Sequence, residues 1–385
     1  MSHLPLKGLT VLEFSQYLSG PSAGLRLADL GARVIKIERP KVGDACRQLA
    51  IKDLWADDGS SLLFHTINRN KESFSADLKN PDDLQYVKKL IKEADVVIHN
   101  FRPGVMEKIG LDYDCVKLIN AKIIYAAVSG FGNEGPWKDR PGQDLLLQSL
   151  SGLVFTSGNE KDSPIPFGIA IADIICGAHL VQGILAALLR RQKKGVGALI
   201  ELSLLESLLD FQFELLTTYF NGKQLPKRSA ENNAHPLLSA PYGIYSTLDG
   251  HIAIAMANIH LLASTLQCET LAAFPLQEAF SNRDEVKIIL SKHLATQSST
   301  YWVEKLHAAN IWSMEVLDWS KIKEHPAYKI LQMEQTVKTA NGKEMITTRC
   351  PIRINGQRLF SNSPAPQLGA DNNKLIEEFS LKNSA

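Results

Sequence analysis

The chain is sparing with the residues that would mark it for a disulfide scaffold, a zinc site, a membrane or a nucleic acid. Its five cysteines, Cys46, Cys115, Cys176, Cys268 and Cys350, are scattered through 385 residues, odd in number, and include no C-x-x-C pair. That usage argues against a disulfide framework and a metal site, and predicts a reduced, cytoplasmic setting. Neither sign of charge dominates, with 42 Lys and Arg against 41 Asp and Glu. No strong field therefore draws a nucleic acid or an anionic membrane, and any anionic ligand has to be met by local basic residues. The opening M-S-H-L-P-L-K-G lacks the apolar stretch of a secretory signal. The longest apolar-rich run, Ile169 to Leu189, is interrupted by Asp173, His179 and Gln182, and reads as a buried helix rather than a membrane span. No internal repeat or low-complexity tract is found.

What is present is ordinary globular composition, 45% hydrophobic and 22% charged, over a length that suggests about two domains. Leu9 to Phe14 reads as a strand, Gly20-Pro21 opens a helix that Gly31 closes, and Arg33 to Glu38 is a second strand. Strand, helix, strand in so short a space implies a parallel sheet. Glu38 would suit a dinucleotide ribose, but the turn L-S-G-P-S-A-G lacks the glycine fingerprint. The alternation continues with strands at Ser73 to Asp77, Val96 to His99 and Ile123 to Val128. A helix starts at Asn80-Pro81, with a cap, proline and early acids, and another covers Asp114 to Leu118. This predicts an α/β fold with an open parallel sheet. Arg39, Asn100, Phe101, Arg102 and Ser129 follow strands, where such sheets bind ligands.

Gly130 to Gly142 is a glycine-rich loop, either a surface connection or a ligand lid. A helix is predicted from Asp144 to Leu153. One carboxylate, Asp173, then stands among Ile171, Ala172, Ile174 and Ile175, ahead of a helix expected to run from Ile174 to about Arg191. Asp before an apolar run is a natural N-cap. Few charged residues belong in such company, however, and a carboxylate is ionised at neutral pH and needs no base to act as a nucleophile. The two readings are compatible, because a helix N-terminus stabilises an anion. Small residues at Gly177, Ala178, Gly183, Ala186 and Ala187 let other backbone approach. Lys193, Lys194 and Gly195 stop the helix. A strand at Ala198 to Leu202 and a helix at Leu204 to Leu216 follow.

The texture changes after Phe220. Residues 221–236 are polar and read as a linker. Tyr242 to Ser246 and His251 to Ala255 flank L-D-G as a hairpin, and helical segments fill most of Ile259 to Leu306. His235, in the polar stretch, is either structural or part of a site. Strand texture returns from about Gln335, and a last helix covers Asn373 to Phe379. The predicted domains are 1–220, a large α/β part; 221–330, a smaller middle domain with linkers; and 331–385, returning to the large domain.

Several motifs, taken together and in order, resemble the family III CoA-transferases, the group of formyl-CoA and carnitine CoA-transferases. They are L-x-G-P-x-A-x-x-x-L-A-D-L-G-A-x-V-I-K-I-E-R-P from Leu18 to Pro40, Gly43-Asp44, N-R-N-K-E-S from Asn68 to Ser73, and D-L-K from Asp77 to Lys79. A-D-V-V-I-H-N-F-R-P-G from Ala94 to Gly104, G-F-G-N-E-G-P from Gly130 to Pro136, and the block around Asp173 complete the set. The resemblance covers nearly the whole chain. It implies two chains interlocked as a homodimer, each with a large domain built from both chain ends. It also implies Asp173 as a nucleophile that carries first an acyl group and then CoA. By the same matching, CoA would contact Arg39, Ala76, Asp77, Leu78, Lys79, Asn100, Phe101, Arg102 and Lys108. Acyl-CoA and a carboxylic acid are the implied partners, with CoA as substrate and product and no other cofactor or metal.

The sequence departs from formyl-CoA transferase at Leu18, Leu63 and Asp144, where that enzyme has glutamine, tyrosine and glutamate, so formyl-CoA is not the expected substrate. α-Methylacyl-CoA racemases share the fold but need a histidine where this chain has Gln143, between Gly142 and Asp144. Glutamine cannot exchange a proton. A racemase-like enzyme and a non-catalytic CoA-binding protein are the alternatives. Arg47 reads either as a loop salt bridge or as a holder of a second substrate carboxylate. Gln143, Asp144 and His235 are the other candidates for contacting the acid, which suggests a dicarboxylate such as succinate.

Overall fold

The computed structural model describes residues 4–275, 280–361 and 363–381. Six parallel strands form the main sheet: β1 (Thr10–Glu13), β2 (Arg33–Glu38), β3 (Glu72–Ser75), β4 (Val96–His99), β5 (Ile124–Ser129) and β6 (Ala198–Ser203). Their spatial order is β3-β2-β1-β4-β5-β6, a doubly wound sheet whose order reverses between β1 and β4. Ligands of such sheets sit beyond the carboxyl ends near that reversal. The central strands β1, β2 and β4 are buried on both faces and carry mostly apolar residues. One core cluster joins Leu12, Ile35, Phe74 and Val97 to helix residues such as Val87, Leu90 and Leu375.

The helices begin where local chemistry allows. Helix Pro81–Glu93 has Asn80 as its cap, with Oδ1 accepting from Asp82 N at 2.9 Å, and proline at its first position. The long helix Ile171–Lys194 ends at Gly195. By length and composition it is the one described helix able to cross a membrane. One face of it is packed in the first unit's core, with Cys176, Leu180 and Ile184 fully buried. The predicted single helix at 204–216 is two, Leu204–Phe211 and Phe213–Gly222, parted at Gln212.

The chain divides into two compact units. The first comprises residues 1–147, 170–211 and 331–385, the second 148–169 and 212–330. Residues 148–169 and 212–220 thus group with the second unit, where a break at 220 was expected. The second unit holds a three-stranded antiparallel sheet, Gly243–Ser246, His251–Ile254 and Ser313–Glu315, packed on helices around Leu262, Leu290 and Trp302. Much of the polar stretch expected to be a linker is fastened within that unit. Arg228 donates to the carbonyls of Ser157 and Asp162, and Lys287 to Ser229 Oγ and Asn232 O.

Candidate active site

Asp173 does not cap its helix. The cap position is Ala170, and Asp173 lies within the first turn. The capping acceptor comes from Asp144 at the start of helix Asp144–Ser151, whose Oδ2 accepts from Asp173 N at 3.1 Å. Local spacing points to a cap at Asp173. The helix instead starts three residues earlier because an acid 29 positions away satisfies the exposed amide.

The Asp173 carboxyl lies near the start of a second helix, Ser19–Asp29, where the Ser19 amide favours its charged form. The two helices meet at Gly177, where an added Cβ would lie 2.8 Å from Ser19 O, so only glycine permits this approach. Burial first, and then the negative charge of Asp144, push the Asp173 carboxyl up to about 7, against the pull of the Ser19 amide. Asp173 therefore holds its proton more tightly than the ordinary carboxylate of the sequence expectation. No cation pairs with Asp173 among the described residues, and the nearby thiols are neutral. Burial raises Cys46 to about 12 and Cys176 to about 11. An electron-rich oxygen, partly shielded from water at a helix start, suits attack on a polarised carbonyl.

Residues 6–372 match the family described as CoA-transferase family III. The chain belongs to that family. It is 30% identical to a succinate–glutarate CoA-transferase of Agrobacterium fabrum, over 97% of this chain and 95% of that one. It is 31% identical to an acetyl-CoA:oxalate CoA-transferase of Acetobacter aceti, over 97% and 96%. A CAIB/BAIF family protein from Brucella suis has the same fold, with a TM-score of 0.85 and 30% identity over 98% of this chain and 100% of that one.

In this CoA-transferase, the residues matched to CoA contacts gather at one edge of the sheet. Arg39 follows β2, the run Ala76, Asp77, Leu78 and Lys79 follows β3, and Asn100, Phe101 and Arg102 follow β4. Arg39, Lys79, Arg102 and Lys108 are exposed, as phosphate ligands need to be. Asn100 is turned inward, accepting from Gln16 N at 2.8 Å and donating to Gln16 O at 2.6 Å. A cavity of about 900 Å³ opens past β4, β5 and β6, with Phe101 and Arg102 on its wall. Its other charged lining is acidic, from Glu107, Asp112, Asp114, Glu134, Glu201 and Glu206. The glycine-rich loop is pinched at its base, because a Cβ on Gly130 would lie 2.7 Å from Gly142 Cα.

Arg47 is buried. Its Nε and Nη2 each donate to Glu38 at 2.8 Å, Nη2 also reaches Pro366 O at 3.0 Å, and Nη1 reaches Ser60 Oγ at 3.3 Å. Glu38, the acid that would suit a ribose, also accepts from Ser73 Oγ at 2.7 Å and Asp44 N at 3.0 Å. Gln143 is exposed, whereas Asp144 is buried. His235 belongs to the second unit, half-buried, with Glu214 Oε2 3.7 Å from its Nε2.

Sequence reasoning missed the buried charges beneath the site. Lys36 Nζ lies 2.8 Å from both Glu13 Oε1 and Asp44 Oδ2, and Lys71 Nζ lies 2.7 Å from Glu13 Oε2. Burial opposes the charge on Lys36, yet Glu13, Asp44 and Glu38 hold it above its ordinary value. Burial, only partly offset by Glu13, pulls Lys71 down to about 8. The one signal in the sequence was a charged residue inside each of two apolar strands. Among the described residues no group of three or more His, Cys, Asp or Glu is placed to hold a metal.

Proposed function

We propose that this CoA-transferase moves CoA from an acyl-CoA to a carboxylic acid through covalent intermediates on Asp173. The observation that carries the reading is the Asp173 carboxyl, half-buried in the first turn of helix Ile171–Lys194, which packs closely on the start of helix Ser19–Asp29 at Gly177. A carboxylate oxygen attacks the thioester carbonyl, the C–S bond breaks, and CoA thiolate leaves a mixed anhydride. The thiolate then attacks the Asp173 acyl carbon, releasing the donor carboxylate and leaving an aspartyl-CoA thioester. The acceptor carboxylate attacks that thioester, freeing the thiolate and forming a second anhydride. Thiolate attack on the acceptor's carbonyl gives the new acyl-CoA and restores Asp173. No net proton is moved, so a nucleophile with no base beside it is sufficient.

The CoA phosphates fall to Arg39, Lys79 and Lys108, and the pantetheine arm passes Asn100 and Phe101. A dicarboxylate such as succinate is the proposed acid. The names of the relatives above, which pair succinate with glutarate and acetyl-CoA with oxalate, support this choice. Arg47 would have to leave Glu38 to take part, so the acid's second carboxylate is assigned to no residue here. The working form is proposed to be an interlocked homodimer in the cytoplasm. An apolar row across the small sheet, Ile244, Ala253 and Met314 in register, with Met314 68% exposed, supports a covering partner.

Trapping tests the chemistry. The protein is incubated with succinyl-CoA, treated with hydroxylamine, digested and weighed. A hydroxamate on the Asp173 peptide, missing in Asp173→Ala, is expected. CoA binding without any such adduct across a panel of acyl-CoAs would sink the proposal.

A further inference from the structure

The turn between β1 and helix Ser19–Asp29 is held at successive peptide groups by side chains from elsewhere in the sheet. Lys36 Nζ donates to Ser15 O at 2.8 Å. Asn100 grips both polar atoms of the Gln16 backbone. Asp44 Oδ1 accepts from Tyr17 N at 3.2 Å, and Lys71 Nζ donates to Pro21 O at 2.9 Å. Tyr17 has φ 63°, a left-handed conformation that costs a bulky residue energy. Its side chain is 55% exposed, so packing does not force that conformation. The hydrogen bonds do.

Behind these contacts the charges form a continuous buried chain: Asp44 to Lys36, Lys36 to Glu13, Glu13 to Lys71. All four side chains have 0% exposure. Such a network is a poor source of net stability, because desolvation consumes most of the attraction and apolar residues would pack as well. Its consistent feature is where it points. Three of its members end on the turn or on the first residues of the helix that meets Asp173.

We propose that Asp44, backed by Lys36, is a positioning residue for CoA transfer: it fixes the Ser15–Leu18 turn so that the Ser19 N–H stays aimed at the Asp173 carboxyl. The inference rests on the reading of Asp173 as nucleophile. When CoA thiolate attacks the anhydride, the carbonyl oxygen of the Asp173 acyl group becomes the oxyanion, an S–C bond forms, and the donor carboxylate departs. The Ser19 amide is then a preorganised donor for that oxygen, and its value depends on its aim. Asp44 is assigned no contact with a reacting atom; it acts on the turn through Tyr17 N and through Lys36.

The test compares full-length Asp44→Ala and Asp44→Asn with the natural protein. CoA affinity is measured by calorimetry, and the rate of hydroxamate formation on Asp173 with succinyl-CoA by mass. Asparagine keeps an oxygen for Tyr17 N–H; alanine does not. Asp44→Ala is expected to slow trapping roughly tenfold to hundredfold with CoA affinity unchanged, the scale of a misdirected donor, while Asp44→Asn recovers most of the rate. If Asp44→Ala does not fold, Tyr17→Pro serves. It lies outside the core, lacks the N–H and cannot adopt a positive φ, so it should show the same loss. A folded Asp44→Ala or Tyr17→Pro that traps at the natural rate overturns the clamp, as does a loss explained by weaker CoA binding. If the natural protein forms no Asp173 adduct, the nucleophile reading fails and the clamp falls with it.

Discussion

Asp144 Oδ2 accepts the backbone N–H of Asp173 at 3.1 Å, so the residue that caps the proposed nucleophile's helix also disturbs its charge. The two roles have opposite consequences. The hydrogen bond orders the first turn, and the negative charge makes ionisation of Asp173 harder. They can be separated, because asparagine at 144 keeps an acceptor oxygen and loses the charge.

The first prediction follows from that separation. Asp173 reacts as its carboxylate, so trapping should fall as pH drops through about 7, where burial and Asp144 have placed its titration. The other ionisable groups near Asp173, Cys46 and Cys176, stay neutral across this range and should not distort the limb. In Asp144→Asn the repulsion is gone, and the limb should move to lower pH. An unmoved midpoint, read from hydroxamate yield against pH, would mean that Asp144 does not govern the charge of Asp173.

The same shift predicts a stability cost at the proposed nucleophile. A carboxyl with an ordinary value of ~3.9 that titrates near 7 when folded holds its proton more tightly in the native state. The stabilisation is complete below the ordinary value and is lost as pH rises through about 7. Asp173→Asn mimics the protonated form at every pH. It should therefore melt on the order of a few degrees above the natural protein at about pH 8.5, and at nearly the same temperature at about pH 4.5. Equal melting temperatures at both values would contradict the raised titration.

Arg47 and Glu38 form the opposite case. Burial disfavours the Glu38 charge, but the paired hydrogen bonds and charge of Arg47 win and hold the carboxyl below its ordinary value. The pair's contribution is present above the ordinary carboxyl range and fades as pH falls through the depressed value. Arg47→Ala leaves a buried carboxylate without its partner and should cost about 3–5 kcal/mol in chemical unfolding near neutral pH, shrinking in acid. Lysine cannot reproduce the two-pronged geometry, so Arg47→Lys should recover only part. A small loss in Arg47→Ala, coupled with weaker use of dicarboxylates alone, would instead favour a substrate role.

Much of this architecture was legible in the sequence. Arg33–Glu38 and Val96–His99 are short apolar runs with β-branched residues, and the observed strands have those bounds. Asn80-Pro81 signalled its helix start because capping is chemistry between neighbours. What local patterns could not supply is anything set by register. Glu13 and Lys36 lie directly opposite each other on β1 and β2, yet 23 residues separate them in the chain. Helix Leu62–Asn68 was missed although Ser61 caps it, because in seven residues the apolar pair Phe64 and Ile67 cannot repeat and shares the buried face with His65 and Asn68. The cap expected at Asp173 is not formed because the group satisfying its amide arrives from a distant segment.

The closest helix contact gives a further prediction. A side chain at Gly177 would enter the space held by Ser22 Oγ and Ser19 O. Backbone cannot yield as a flexible side chain can, so the helices would have to separate. Gly177→Val should cost about 1–3 kcal/mol and also slow trapping on Asp173, since separation draws the Ser19 amide away. Stability lost with an unchanged trapping rate would show that the helix spacing does not serve the chemistry.

Cysteine reactivity offers a test that needs no substrate. Cys46, Cys176, Cys268 and Cys350 are buried, and Cys115 is exposed. Burial pushes Cys46 up to about 12 and Cys176 up to about 11, which removes the thiolate that alkylating agents attack. Iodoacetamide at neutral pH should therefore modify Cys115 in the native protein, slowly because the neighbouring Asp112 disfavours its thiolate. All five should react once the chain is unfolded. Rapid native labelling of Cys46 would be the informative failure. Cys46 N donates to Asp44 Oδ1 at 2.9 Å and its thiol lies near Asp173, so a reactive thiol there would mean that the segment gripping the β1 turn opens in solution. Protection of Cys46, lost in Asp44→Ala, would tie that segment's closure to the same carboxylate that holds Tyr17.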